Sequence, residues 1–203
     1  MFTILRKAIL LTLTLAVILC GFYPLLVTTV AQIFFHEKAN GSLVYKDDKP
    51  VGSKLIGQAF IRPEYFHARP SAAGTNDRTN DRNGYDATAS SGSNLGPTNI
   101  KLHERLRLES SRLLIENPSL KKGSIPVDLV TASASGLDPH ISPDAALIQI
   151  ARVAHARRVD TAAMRQLVMS HVEEPSFFVL GQSRINVLAL NIALDAAYPL
   201  RAH

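Results

Sequence analysis

The sequence predicts an α+β protein, with a single N-terminal transmembrane helix followed by one mixed α+β extracytoplasmic domain. Three observations carry this reading. No charged residue lies among the 28 residues from Ala8 to Phe35. Beyond them, helical and strand-like patterns succeed one another without the steady alternation of a parallel sheet. A stretch of 26 residues from Ser71 to Gly96 then offers only two large apolar side chains, Tyr85 and Leu95.

The charge-free run comes first. As a helix it reaches roughly 42 Å, more than the roughly 30 Å hydrocarbon core of a bilayer, and a helix satisfies its own backbone as hydrocarbon demands. Arg6 and Lys7 precede it, and His36, Glu37 and Lys38 close it. Pro24 frees one carbonyl inside the run; Thr28 and Thr29 stand near enough to help resatisfy backbone, and a kink is expected. A cleaved signal peptide has a shorter apolar region, although Thr29-Val30-Ala31 resembles a cleavage site. A lipoprotein anchored at Cys20 needs a small residue where Leu19 stands. A retained anchor is therefore expected, with residues 1–7 as a cytoplasmic tail, 8–35 as the span and its exit, and 36–203 outside. Arg6 and Lys7 favour that orientation, while Lys38, Lys46 and Lys49 on the far side weigh against it.

The chain carries 22 Lys and Arg against 17 Asp and Glu, a net charge of +5, with 46% apolar residues. That is too apolar for a disordered chain and too evenly charged for a nucleic-acid arm, and the chain has no Trp to interleave with basic runs. Cys20 is its single cysteine, which excludes an intrachain disulfide and a cysteine-based zinc cluster.

In the domain, Ser42–Tyr45 and Leu55–Phe60 read as short strands or turns. The region near 71–96 reads as a flexible insertion, since it cannot bury enough surface to order itself alone. Pro97 opens a periodic helix that ends before Pro118, with Ile100, Leu102, Leu106, Leu113 and Leu114 on one face. Lys101, Glu104, Arg105, Glu109 and Arg112 form its solvated face. Val127–Thr131 reads as a strand. Ser142 caps a helix with Pro143 at its first position, expected to run to about Arg158. Asp160 starts another, with Val159 and Met164 as a hydrophobic staple. Phe177–Leu180 reads as a strand before a last helix over roughly 186–197.

Tests for chemistry fail one by one. Gly52-Ser-Lys-Leu-Ile-Gly57 has phosphate-loop glycines, but Gln58 and Ala59 stand where Lys and Ser or Thr must reach phosphate and Mg²⁺. Ser119-Leu-Lys-Lys122 matches S-x-x-K without its S-D-N and K-T-G partners. Ser133, Ser135, Asp138 and His140 invite a hydrolase reading, yet no G-x-S-x-G elbow surrounds either serine, and a triad draws its members from separate elements. A turn-rich connector whose polar groups bond nearby backbone is the simpler account. The seven histidines offer no H-E-x-x-H metal pair.

A resemblance supplies what these tests do not. Asn40-Gly-Ser-Leu43, Gly52–Gln58, Tyr65-Phe-His-Ala-Arg-Pro-Ser71, Gly92-Ser-Asn-Leu-Gly-Pro97, Val130–Pro143, Gln149-Ile-Ala-Arg-Val-Ala154 and Asn186–Asp195 occur in the order found in one family. The chain resembles the C subunit of the bacterial Kdp complex, a potassium-importing P-type ATPase. The resemblance runs over nearly the whole chain, including Tyr23-Pro24; Ala68 and Ala134 stand where members often carry Gly. It implies a non-catalytic accessory subunit of the inner membrane that stabilises assembly and, as a catalytic chaperone, raises the ATP affinity of the catalytic subunit. Implied partners are a channel-like potassium-binding subunit, the catalytic subunit, a small fourth subunit and membrane lipid. The complex uses ATP, Mg²⁺ and potassium; the chain itself is expected to hold no cofactor. The matched motifs carry the candidate partner-contact or structural residues Gln58, Arg69, Ser71, Asn94, Ser133, Ser135, Gly136, Asp138 and His140. The alternative is a membrane-anchored envelope hydrolase using Ser135 and His140.

Overall fold

Pro24 leaves its mark on the backbone before anything else. In the computed structural model, which describes residues 1–74, 84–118, 120, 121 and 123–200, the N-terminal segment runs as α1 (Phe2–Ala16), a π-helical turn (Val17–Phe22) and α2 (Tyr23–Phe34). The Tyr23 N–H reaches back to the Ile18 carbonyl, five residues away, so the ladder widens just before the proline that cannot donate. Thr14 and Thr29 donate their hydroxyls to Leu10 and Leu25 O at 2.8 Å. Thr29 thus bonds a carbonyl beyond Pro24, not the one the proline frees. These 33 residues are, among those described, the one helix long and apolar enough to cross a membrane.

The chain divides into two units, Met1–Val51 and Gly52–His203. In the first, Phe35 breaks the helix at φ −136°, and Asn40 ties the exit by donating to His36 O at 2.7 Å. A short α3 (His36–Ala39) leads to a hairpin of β1 (Leu43–Lys46) and β2 (Lys49–Ser53). Its two-residue turn, Asp47-Asp48, has φ of 51° and 59°, the mirror-image turn that matches strand twist. Ser42–Tyr45 thus supplies a strand as expected; after Gly52, Leu55–Phe60 contributes a single bridge, from Ile56 to Ser53.

The second unit is helical around a small sheet: α4 (Ile100–Glu116), β3 (His140–Ile141), α5 (Pro143–Leu147), α6 (Ile150–Arg157), α7 (Thr161–Met169), β4 (Ile185–Asn186) and α8 (Val187–Ala197). β3 and β4 pair antiparallel, His140 opposite Asn186 and Ile141 opposite Ile185. α7 packs on α5, α6 and α8. Phe66, Leu113, Ile141, Val153, Met164, Val168, Leu190 and Leu194 form the centre of the core.

Caps fall where the sequence places two of them. Ser142 accepts from Ala145 N, and Asp160 from Ala162 N and Ala163 N. Met164 is fully buried with Val159 packed beside the core, as a staple requires. Five expectations are corrected. α4 begins at Ile100, capped by Asn99, whose side chain accepts from Lys101 N, and not at Pro97. Glu109 is buried on that helix, not solvated, with Arg112 Nε at 3.1 Å. The expected helix from Pro143 to Arg158 is two: the Gln149 N–H bonds Ala146 O, and its side-chain amide takes the Ala145 carbonyl this leaves over. Val127–Leu129 is a 3-10 turn and Phe177–Leu180 a tight turn, because neither finds a strand to pair with among the described residues.

With so little sheet, the extended segment through Phe66 and His67 has no ladder, yet both residues are buried. Two side-chain amides replace one. Asn191 accepts from Phe66 N at 2.9 Å and donates to Phe66 O at 3.0 Å. Gln149 accepts from His67 N at 2.7 Å and donates to His67 O at 3.1 Å. Tyr65 is held beside them, under the Arg157 guanidinium at 4.8 Å and bonded to Asp195 at 3.2 Å. Asn191→Leu keeps the branched shape of the side chain but orphans the N–H and C=O of Phe66, at an expected cost of roughly 2–5 kcal/mol. Urea unfolding of the detergent-solubilised chain measures this, with the exposed Ile115→Ala change expected to stay within about 0.5 kcal/mol.

Candidate functional site

The residues from Ser133 to His140 form a connector between the 3-10 turn and β3, and backbone demands set its geometry. Gly136 has φ +67°, a conformation that other residues resist. It is also tightly enclosed: a Cβ there would lie 2.6 Å from both Ala73 N and Ser91 O. Gly57 meets the same constraint from the other side, since its N–H donates to Leu137 O at 2.8 Å and a Cβ would run into the Tyr85 ring and Asp138 O. The glycine that resembles part of a phosphate loop thus lets two chain segments touch.

Hydroxyls and a carboxylate then tie the connector down. Ser71 Oγ donates to Gly136 O at 2.6 Å while accepting from Ala73 N and Tyr85 N. Ser135 O accepts from Ser91 N and Ser90 Oγ, both at 3.0 Å. Tyr85 OH donates to Arg69 O at 2.9 Å, and burial with the nearby Asp138 charge pushes its phenol well above the usual range. Arg69 Nη1 donates to Asp138 Oδ2 at 2.9 Å. The other carboxylate oxygen, Oδ1, accepts from His140 N at 3.0 Å and faces His140 Nδ1 at 3.3 Å. Burial by itself would raise the Asp138 carboxyl, but the His140 bonds and the Arg69 charge outweigh it and hold the group below the ordinary carboxylate value. Ser142, Asp128 and Pro139 extend the lock: Ser142 N donates to Asp128 at 2.6 Å, and Val187 N to Pro139 O at 2.9 Å.

Of the residues singled out in the sequence, Arg69, Ser71, Ser133, Ser135, Gly136, Asp138 and His140 meet here. Gln58 lies half-buried against Gly52, and Asn94 sits at φ 50° in the irregular segment before α4. The described flanks of the 71–96 stretch, residues 71–74 and 84–96, include segments that pack on the connector; the rest of that expectation, 75–83, lies outside the described residues. Neither Ala68 nor Ala134 has a positive φ, so neither position requires glycine. Ser135 Oγ accepts from Leu137 N at 3.1 Å and meets Ser133 Oγ at 3.4 Å. Both ring nitrogens of His140 face carboxylates, Asp138 at 3.3 Å and Glu173 at 3.9 Å. This is the arrangement of a turn, with the imidazole engaged away from the serine.

The connector lines a shallow concavity of about 650 Å³ with Leu55, Ile56 and Arg69. Arg69 also lines a second cleft of about 740 Å³ along α4, with His67, Tyr85, Arg105 and Arg112. Among the described residues no group of three His, Cys, Asp or Glu is placed to hold a metal. Sequence reasoning missed Gln149 and Asn191, which position Arg69 and Ser71 through the segment they clamp. The signal open to it was a polar residue on an otherwise apolar helix face, as in Val187-Leu-Ala-Leu-Asn191.

The chain matches known proteins along its length. The family model described as "KdpC: K+-transporting ATPase, c chain" matches residues 5–196. A relative in Nitratidesulfovibrio vulgaris, named "Potassium-transporting ATPase KdpC subunit", is 50% identical over 196 residues, covering 97% of this chain and 95% of its own length. Relatives of the same name in Caulobacter vibrioides and Myxococcus xanthus are 53% and 54% identical over 178 residues, each covering 87% of this chain and 85% and 80% of their own.

The geometry sets two expectations. Ser135→Ala removes about one neutral hydrogen bond, roughly 0.5–1.5 kcal/mol, whereas Gly136→Val combines a forbidden φ with a clash and costs several-fold more. Thermal melts rank the two, and an inactivating Ser135→Ala change in a fully stable protein would point to a nucleophile. Asp138→Asn is expected to destabilise near neutral pH. Because the native Asp138 pKa is depressed, the carboxylate's contribution is present above the ordinary pKa and fades as pH falls through the native one. The stability difference between wild type and Asp138→Asn therefore narrows on acidification, which unfolding at a series of pH values reads directly.

Proposed function

This chain belongs to the K+-transporting ATPase c-chain family, and from that premise we propose that it is the non-catalytic accessory subunit of an ATP-driven potassium importer. It stabilises assembly with a channel-like potassium-binding subunit, a catalytic P-type subunit and a small fourth subunit. It also acts as a catalytic chaperone, raising the ATP affinity of the catalytic subunit. The observation that supports the subunit reading is the length of the match, which runs from residue 5 to residue 196 through both the apolar span and the domain.

The proposed setting is a bacterial inner membrane crossed once, with Arg6 and Lys7 inside and residues 36–203 outside. Taking Arg6 and Lys7 from the net charge of +5 leaves the domain at +3. A domain of that sign does not gather potassium by its overall field, so its role is to hold and tune partners. From outside it cannot touch cytoplasmic ATP, and the failed phosphate loop gives it no site of its own. Its effect on ATP is therefore coupling between distant sites, carried through the subunits that cross the membrane.

Coupling of this kind is reciprocal: if the subunit tightens ATP binding by some factor, ATP tightens subunit binding by the same factor. Titrating a non-hydrolysable ATP analogue into the purified complex with and without this chain gives the first factor. Titrating the chain into the subcomplex with and without the analogue gives the second. Equal factors above one are expected. An ATP affinity indifferent to the chain overturns the chaperone role, and tight analogue binding by the chain alone overturns the remote one.

A further inference from the structure

The most exposed apolar group of the second unit is a tight turn far along the chain. Phe177, Phe178, Val179 and Leu180 are 84%, 88%, 77% and 62% exposed. No charge interrupts the eight residues Pro175–Gln182. The turn is built, not frayed. Ser176 N donates to Leu180 O, and Phe178 N, Val179 N and Leu180 N donate to Pro175 O and Ser176 O within the turn. Phe177 and Phe178 both sit at positive φ, 54° and 62°, which costs a non-glycine residue conformational energy. Below the turn, Glu173 and Arg184 bridge backbone to backbone and pair their side chains at 3.0 Å, while Ser183 bonds Glu174. The charges at its base are thereby partly compensated among themselves.

We propose that this turn inserts into the interface of the lipid bilayer. Two features select lipid as the occupant. The backbone donors of Ser176, Phe178, Val179 and Leu180 are satisfied within the turn, which lowers the cost of moving it from water to the interface, where the other backbone groups still meet water and headgroups. The same chain also carries a 33-residue apolar span ending at Phe34, and the second unit begins at Gly52, so only residues 35–51 lie between them. Such a tether is at most roughly 60 Å when fully extended, so a bilayer crossed by the span stays within reach of the second unit. Large aliphatic and aromatic side chains on a self-bonded turn then gain by burying themselves in the headgroup and acyl boundary. The inference rests on the single-pass reading of Phe2–Phe34, and the test separates the two.

The chain has no Trp, so a single introduced indole reports its own surroundings. Three full-length variants, Phe178→Trp at the turn, Phe22→Trp in the span and Ile115→Trp on exposed α4, are reconstituted in phosphatidylcholine and phosphatidylglycerol vesicles with or without brominated acyl chains. A ring about 5–10 Å below the headgroups should lose roughly half or more of its emission to bromine. Phe22→Trp and Phe178→Trp are expected to be quenched and Ile115→Trp to stay bright. A quenched span with an unquenched turn overturns the inference and leaves the anchor standing. An unquenched span overturns both. Quenching of Ile115→Trp to the same degree as Phe178→Trp also overturns it, since proximity without insertion would then suffice. A turn that ignores brominated lipid but shifts to the blue when the other importer subunits are present assigns Phe178 to a protein contact and overturns the lipid assignment.

Discussion

The domain depends on two side-chain amides that take the place of a β-strand. The sheets among the described residues are two short two-stranded pairs, so the extended segment at Phe66 and His67 enters the core with no neighbouring strand to bond. Buried backbone without partners is costly enough to forbid that path. Asn191 on α8 and Gln149 between α5 and α6 each donate one bond to this segment and accept one from it, the pairing a strand would provide. Gln149 also interrupts the helix it belongs to, which is why α5 and α6 are separate.

That clamp governs the next stretch of the chain. Once Phe66 and His67 are placed, Arg69 and Ser71 arrive at the connector, where one pairs with Asp138 and the other with the carbonyl of Gly136. The polar residues of the connector are almost wholly spent on backbone and on one another. Their density, which in a bare sequence suggests a hydrolase, serves rigidity: three chain segments, 57, 69–73 and 90–92, converge on a turn that only glycine can make. A rigid, partly open surface of this sort suits a subunit proposed to act by contact.

How much of this was legible in the sequence varies with the range of the interaction. The N-terminal apolar helix, the caps at Ser142 and Asp160, the last helix and the turn character of residues 133–140 depend on neighbours within a few positions. Charge-free length, N-cap chemistry and the freedom of glycine report them directly. The family, too, was legible, because ordered motifs survive in the chain whatever their geometry.

Tertiary structure decided the rest. Val127–Leu129 and Phe177–Leu180 have strand-like composition, but a strand exists only if another edge is in reach, and neither segment meets one among the described residues. Glu109 sits in a row of charges that reads as a solvated face, yet α4 turns it inward beside Arg112. Gln149 and Asn191 have the look of ordinary helix residues; their partners lie 82 and 125 residues away in the chain. Hydrogen bonds at such separation leave no periodicity and no local propensity behind them, so only the folded packing could reveal which polar residues hold the domain together.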